Sequence, residues 1–161
     1  MTGFFHRLKE RITAPSATKK TVAAQETIDD KVALGVLLHE VAKADRRWHE
    51  SEKDKIRQVL RDFAHIPEDD IVSVLGAVER AERASIDFYA FTHQFSRGVP
   101  YAKKKNILEN LFRVACADGD LAQPEHEVIR KIAGLLLLDH KDFIDAKIKV
   151  KKEFGMDTAG L

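Results

Sequence analysis

Apolar residues recur at intervals of three and four along most of this chain, which is the period of amphipathic α-helices. From Ile28 onward the pattern predicts successive helices joined by short polar turns, and no stretch alternates with the period of a β-strand. The sequence therefore predicts an all-α domain of about seven helices over residues 28–155, followed by a tail at 156–161.

The first 13 residues form a separate amphipathic pattern, with Phe4, Phe5, Leu8 and Ile12 on one helical face. A small, polar, proline-containing stretch follows, so we predict a short N-terminal helix at 1–13 and a linker at 14–27. Aromatic residues opposite basic ones are typical of a peripheral membrane anchor. The alternative is a helix that docks on its own domain.

One acidic loop occurs twice. In residues 117–125 an Ala-Asp pair is followed, seven positions after Asp118, by Glu125. In residues 44–52 the same spacing joins Asp45 and Glu52, and each residue lies 73 positions before its counterpart. The flanking apolar positions repeat at the same offset. The sequence therefore predicts two pseudo-symmetric helical hairpins, each with an acidic loop between its helices.

Two interpretations of these acids stay open. Each Asp could cap the helix that follows it while each Glu occupies the favourable first turn of that helix. Alternatively, the acids converge on a divalent cation, and the candidate ligands are Asp118, Asp120, Glu125, Asp45 and Glu52. An all-carboxylate set favours calcium or magnesium over zinc. The second loop is not an EF-hand, because its twelfth position is Ile129 rather than a glutamate.

The composition of the chain argues against several classes of protein. A net charge of +1 over 161 residues gives no bulk attraction to nucleic acid, and a single cysteine excludes an internal disulfide. No apolar run is long enough to span a bilayer, so we expect a cytoplasmic protein, membrane-associated only through residues 1–13.

Signals for catalysis are weak. Cys116 lies among carboxylates, which raise the pKa of a thiol, so we interpret it as a packing residue. His126 is the one histidine that we consider as a ligand. The basic runs Lys103 to Lys105 and Lys147 to Lys152 alternate with acids elsewhere and are interpreted as solvated helix faces. We predict no enzyme and no nucleic-acid partner.

The duplicated element is similar to that of the TerB-like family of tellurite-resistance proteins, here Ala44-Asp45…Glu52 and Ala117-Asp118-Gly119-Asp120…Glu125. The segments 86–92 and 111–119 resemble an uncharacterised bacterial subgroup of that family. The resemblance implies an all-α fold, an acidic patch that binds metal ions, and a link to tellurite or stress resistance without an enzymatic step. In the first loop, Arg46 and Arg47 depart from the family pattern and would repel a cation.

These observations lead to one main hypothesis, a non-enzymatic module that binds a divalent cation or a partner protein through its acidic loops. A membrane-peripheral adaptor anchored by residues 1–13 is the first alternative. Metal-assisted hydrolysis by the carboxylates is the second.

Overall fold

The computed structural model describes residues 22–47, 49–84 and 87–159; of residues 22–30, 91 and 94 it describes the backbone only. Seven α-helices and no strand occur in these ranges. They are α1 (Val22–Ala42), α2 (Glu50–Asp62), α3 (Glu68–Arg83), α4 (Phe88–Arg97), α5 (Tyr101–Ala115), α6 (Gln123–Leu135) and α7 (His140–Glu153). The predicted all-α class and the predicted helix number are confirmed.

Several helix boundaries follow the local signals. The Asp87 carboxylate caps α4 by accepting hydrogen bonds from the amides of Tyr89 and Ala90. Pro124 lies in the first turn of α6. After α7, Gly155 adopts a left-handed φ of 64°, as expected of a residue that closes a helix.

Other boundaries differ from the sequence pattern. Helix α1 begins at Val22, inside the predicted linker 14–27. Helix α2 begins at Glu50, and its N-cap is His49. The predicted helix at 1–13 and Trp48 lie outside the described residues. On α3, Val72 continues the apolar pattern but is 71% exposed, because Ile71 beside it takes the inward position.

The seven helices form two units of three, with α4 between them in sequence. In the first unit α1 packs against α2 and α3; in the second, α5 packs against α6 and α7. The units meet along α1 and α5, and α2 contacts α5 as α6 contacts α1. These matching contacts give the domain its pseudo-twofold symmetry. The predicted hairpins are therefore each part of a three-helix unit.

The core lies where the two units meet. Residues at equivalent positions of the repeat are buried together, including the pairs Leu38 and Leu111, Val41 and Val114, Ala42 and Ala115, and Ile56 and Ile129. Helices α1 and α3 approach closely at Gly35, where an added Cβ atom would lie 2.8 Å from Cγ2 of Val78. This contact fixes the spacing of the first unit.

None of the helices in the described ranges has the length and apolar character that a transmembrane span needs.

Candidate functional site

The two acidic loops lie between α1 and α2 (residues 43–49) and between α5 and α6 (residues 116–122). Their backbones form the same hydrogen bonds at an offset of 73 residues. The amide of Arg46 donates to the carbonyl of Lys43 at 3.0 Å, and the amide of Gly119 donates to that of Cys116 at 2.9 Å. The duplication predicted from side-chain types is thus also a duplication of backbone geometry.

Each loop requires a left-handed residue directly after its aspartate. In the second loop this residue is Gly119, with a φ of 88°. In the first loop it is Arg46, with a φ of 62°. Since a side chain makes this conformation unfavourable, the first loop retains the geometry of the second at a cost in conformational energy.

The two aspartates stabilise their own loops. Oδ1 of Asp45 accepts a hydrogen bond from the amide of Arg47 at 2.7 Å, and Oδ1 of Asp118 accepts one from the amide of Asp120 at 3.0 Å. These are Asx-turns, in which a side chain replaces a backbone acceptor. The idea that each Asp caps the next helix is wrong, because both carboxylates bond within the loop instead.

The two glutamates perform the capping. Oε2 of Glu52 accepts a hydrogen bond from the backbone amide of His49 at 3.0 Å, and Oε2 of Glu125 accepts one from that of Ala122, also at 3.0 Å. This is the glutamate half of a capping box, in which the third helical residue reaches back to the N-cap. It holds both carboxyl groups at the start of their helices, pointing inward.

Both glutamates are buried, which distinguishes them from the other acids of the loops. Glu52 is fully buried and Glu125 is 2% exposed, whereas Asp118 and Asp120 are exposed. The two carboxyl groups are neighbours, close enough for the carboxyl of Glu52 to raise the pKa of Glu125. Oε1 of Glu52 is buried and has no hydrogen-bond donor when both groups are ionised. A proton held between the two carboxyl groups would give this oxygen a donor.

Burial raises the pKa of Glu125 to about 9, and the neighbouring carboxyl of Glu52 and the charge of Asp45 act in the same direction. Two carboxylates that share one desolvated site cannot both ionise cheaply. The pair therefore holds one proton at neutral pH. A bound cation could take the place of that proton.

A histidine connects the two loops. Nε2 of His49 lies 3.6 Å from Oδ2 of Asp118, so the start of α2 contacts the loop before α6. No signal in the sequence indicates this contact. Its counterpart in the repeat, Ala122, has no side chain that could reach across.

The predicted ligands thus divide into a buried pair of glutamates and three less buried aspartates. Glu52 and Glu125 come together, while Asp45, Asp118 and Asp120 bond to their own loops. In the part of the chain that the structure describes, no three acidic, histidine or cysteine side chains form a ready-made metal cluster. An ion at the glutamate pair would therefore need water or backbone oxygens to complete its coordination.

His126 and Cys116 do not join this pair. Nε2 of His126 lies 3.1 Å from Nζ of Lys147, and a neighbouring ammonium makes it a poor metal ligand. The Cys116 thiol is fully buried, and burial together with the charge of Glu125 raises its pKa to about 12. The prediction that Cys116 packs in the core is confirmed.

A model of the family described as Tellurite resistance protein TerB matches residues 31–148. The chain belongs to the TerB family. The matched span includes both acidic loops and nearly all residues of the seven helices. The part of the chain that matches the TerB family is therefore the helical domain that contains the repeat. No curated protein and no solved structure matches this TerB chain.

Proposed function

We propose that this TerB module is a non-enzymatic binding protein that takes up a divalent cation at the carboxyl groups of Glu52 and Glu125. The observation that carries the proposal is the burial of these two groups against each other, with Oε1 of Glu52 lacking a donor when both are ionised. Buried charges in proteins are paired or coordinate metals. A divalent cation would satisfy both carboxylates at once.

Calcium or magnesium fits this site better than zinc. The available ligands are carboxylate oxygens, which hard cations prefer, and magnesium commonly retains several waters beside one or two carboxylates. The exposed Asp118 and Asp120 lie in the adjoining loop, where their charges attract a cation toward the pair.

The acidic loops also offer a surface to a partner protein. Asp118 and Asp120 are exposed, so a basic segment of a partner could contact them from solvent. A role in tellurite or stress response, consistent with the family description, would then follow from what the loaded module binds.

Calorimetric titration with calcium, magnesium, manganese and zinc tests the proposal. Wild type should bind an ion and release close to one proton near neutral pH, because the shared proton must leave. The number of protons released follows from the difference in binding heat between two buffers that have different heats of ionisation. Glu52→Gln and Glu125→Gln should abolish this binding.

Glu50→Gln is the matched control, since Glu50 carries the same charge next to the site but is 80% exposed and pairs with Lys53. It should bind as wild type does. The absence of ion binding by wild type, or equal binding by the Glu50 and Glu125 variants, would reject the cation proposal.

A further inference from the structure

A cleft opens between the second acidic loop, the start of α6 and helix α7. It encloses about 180 Å³. Its lining includes Asp120, Gln123, His126, Lys147, Lys151 and Met156. The glutamate pair does not contribute to it, so the cleft is a separate feature of the domain.

Two lysines on α7 line this cleft one helical turn apart. Like charges at this spacing repel each other, which destabilises the helix unless something compensates. Nζ of Lys147 contacts Nε2 of His126 at 3.1 Å rather than an acid. Burial and the charge of Lys151 lower the pKa of Lys147.

Other lysines of the same helix are neutralised. Nζ of Lys149 lies 2.8 Å from Glu109, and Nζ of Lys141 lies 2.7 Å from Asp145. Over the described ranges of the chain, neither Lys147 nor Lys151 forms such an ion pair. Asp120 is an acidic group of the same lining, and its Oδ1 accepts a hydrogen bond from the amide of Leu121.

The start of α6 adds to this positive potential. Gln123, the first residue of that helix, lines the cleft, and a helix N-terminus attracts anions through its dipole. The volume is below the roughly 300–1,000 Å³ of pockets for drug-sized ligands. We infer that this cleft binds a small oxyanion, a phosphate or carboxylate group, between Lys147 and Lys151 at the N-terminal end of α6.

The test is an NMR titration of the full chain in metal-free buffer. Sodium phosphate, and in a second series sodium acetate, replaces sodium chloride at constant ionic strength, so that general screening does not change. Resonances of Lys147 and Lys151 should shift along a saturable curve. Tighter binding of phosphate identifies a phosphate ligand, and tighter binding of acetate identifies a carboxylate.

Variants locate the site. Lys147→Met and Lys151→Met keep the apolar stem and remove the charge, and each should weaken binding about tenfold, as expected for loss of a charge-assisted hydrogen bond. Lys152→Met removes the same charge from an exposed position of α7 outside the cleft and should leave binding unchanged. Failure of both anions to saturate, unaltered binding by the Lys147 and Lys151 variants, or equal weakening by Lys152→Met would overturn the inference.

Discussion

The carboxyl groups of Glu52 and Glu125 are buried neighbours although 73 residues separate them in the chain. Each is fixed by an amide of its own loop, at the N-cap of α2 and of α6 respectively. Neither carboxyl group can therefore turn away from the other without giving up a helix cap. The pair is held together by the local structure of both halves.

The first prediction concerns pH. Because the pKa of Glu125 is raised from its ordinary value of 4.5 to about 9, the folded state keeps a proton that the unfolded state releases. The free energy of unfolding of the metal-free protein should therefore fall as pH rises between these values, by up to about 1.4 kcal/mol per pH unit. Urea unfolding in EDTA at about pH 5.5 and about pH 8 measures this change.

Glu125→Gln imitates the protonated acid and should lose this part of the pH dependence, becoming more stable than wild type at the higher pH. Glu50→Gln should keep the wild-type slope. If Glu125→Gln shows the same slope as wild type, the shared proton is not on this pair.

The second prediction concerns the left-handed residue of each loop. Arg46→Gly should raise the free energy of unfolding by roughly 0.5–1 kcal/mol, since glycine adopts a positive φ without steric cost. Gly119→Ala should lower it by about 1 kcal/mol, and for backbone reasons alone, because an added Cβ there meets no atom within 4 Å.

Arg47→Gly controls for the loss of charge. Arg47 has no left-handed backbone, so this change should bring a small loss of stability. Chemical denaturation of the three variants gives the comparison. A stability gain for Arg47→Gly as large as that for Arg46→Gly would point to charge rather than conformation.

The third prediction compares two helical glycines. Gly35→Ala places a methyl group 2.8 Å from the buried, β-branched Val78, and should cost about 1–3 kcal/mol through overpacking of α1 against α3. Gly134→Ala lies on exposed helix surface with no atom near the new methyl group, and should gain roughly 0.5–1 kcal/mol. Thermal unfolding of both variants should give shifts of opposite sign.

The fourth prediction separates the two acidic loops in cation binding. Asp118→Asn should weaken calcium or magnesium binding more than Asp45→Asn, because Asp118 neighbours a second acid while Asp45 neighbours two arginines. Asparagine retains an oxygen for the Asx-turn, so the change reports on charge. Calorimetry that finds equal or reversed effects would contradict this ranking.

The fifth prediction concerns residues 1–13. If this segment anchors the protein, the full chain should float with vesicles containing anionic lipid, whereas a chain starting at Val22, which keeps all seven helices, should not. Flotation of neither protein would exclude the anchor. Equal flotation of both would place the membrane contact on the helical domain.

Much of this structure could be predicted because local signals and helical period agree. The repeat spacing selected Asp45, Glu52, Asp118 and Glu125 together, and the apolar period identified the helices on either side of them. The spacing did not separate the two glutamates from the aspartates. The period could not decide between neighbours such as Ile71 and Val72, since an apolar residue next to a core position looks the same in sequence.

The inward orientation of the glutamates depends on contact between the two units, which no local pattern encodes. The same limit applies to His49, whose contact with Asp118 joins residues 69 positions apart. Lys147 and Lys151 are four residues apart, a spacing that lysines on any solvated helix face can have, so the sequence does not distinguish them. Only the packing of α7 beside the second loop distinguishes them from Lys149.

The matching hydrogen bonds of the two loops have a consequence for symmetry. Consider a three-helix unit with a single glutamate at the start of its second helix. If two identical copies paired along their first helices, the two glutamates would meet across a twofold axis. Covalent fusion of the copies frees each half to change alone. Two such changes are present in this chain: Arg46 occupies the position that is equivalent to Gly119, and His49 the position that is equivalent to Ala122. In a strict homodimer, each of these changes would occur in both copies.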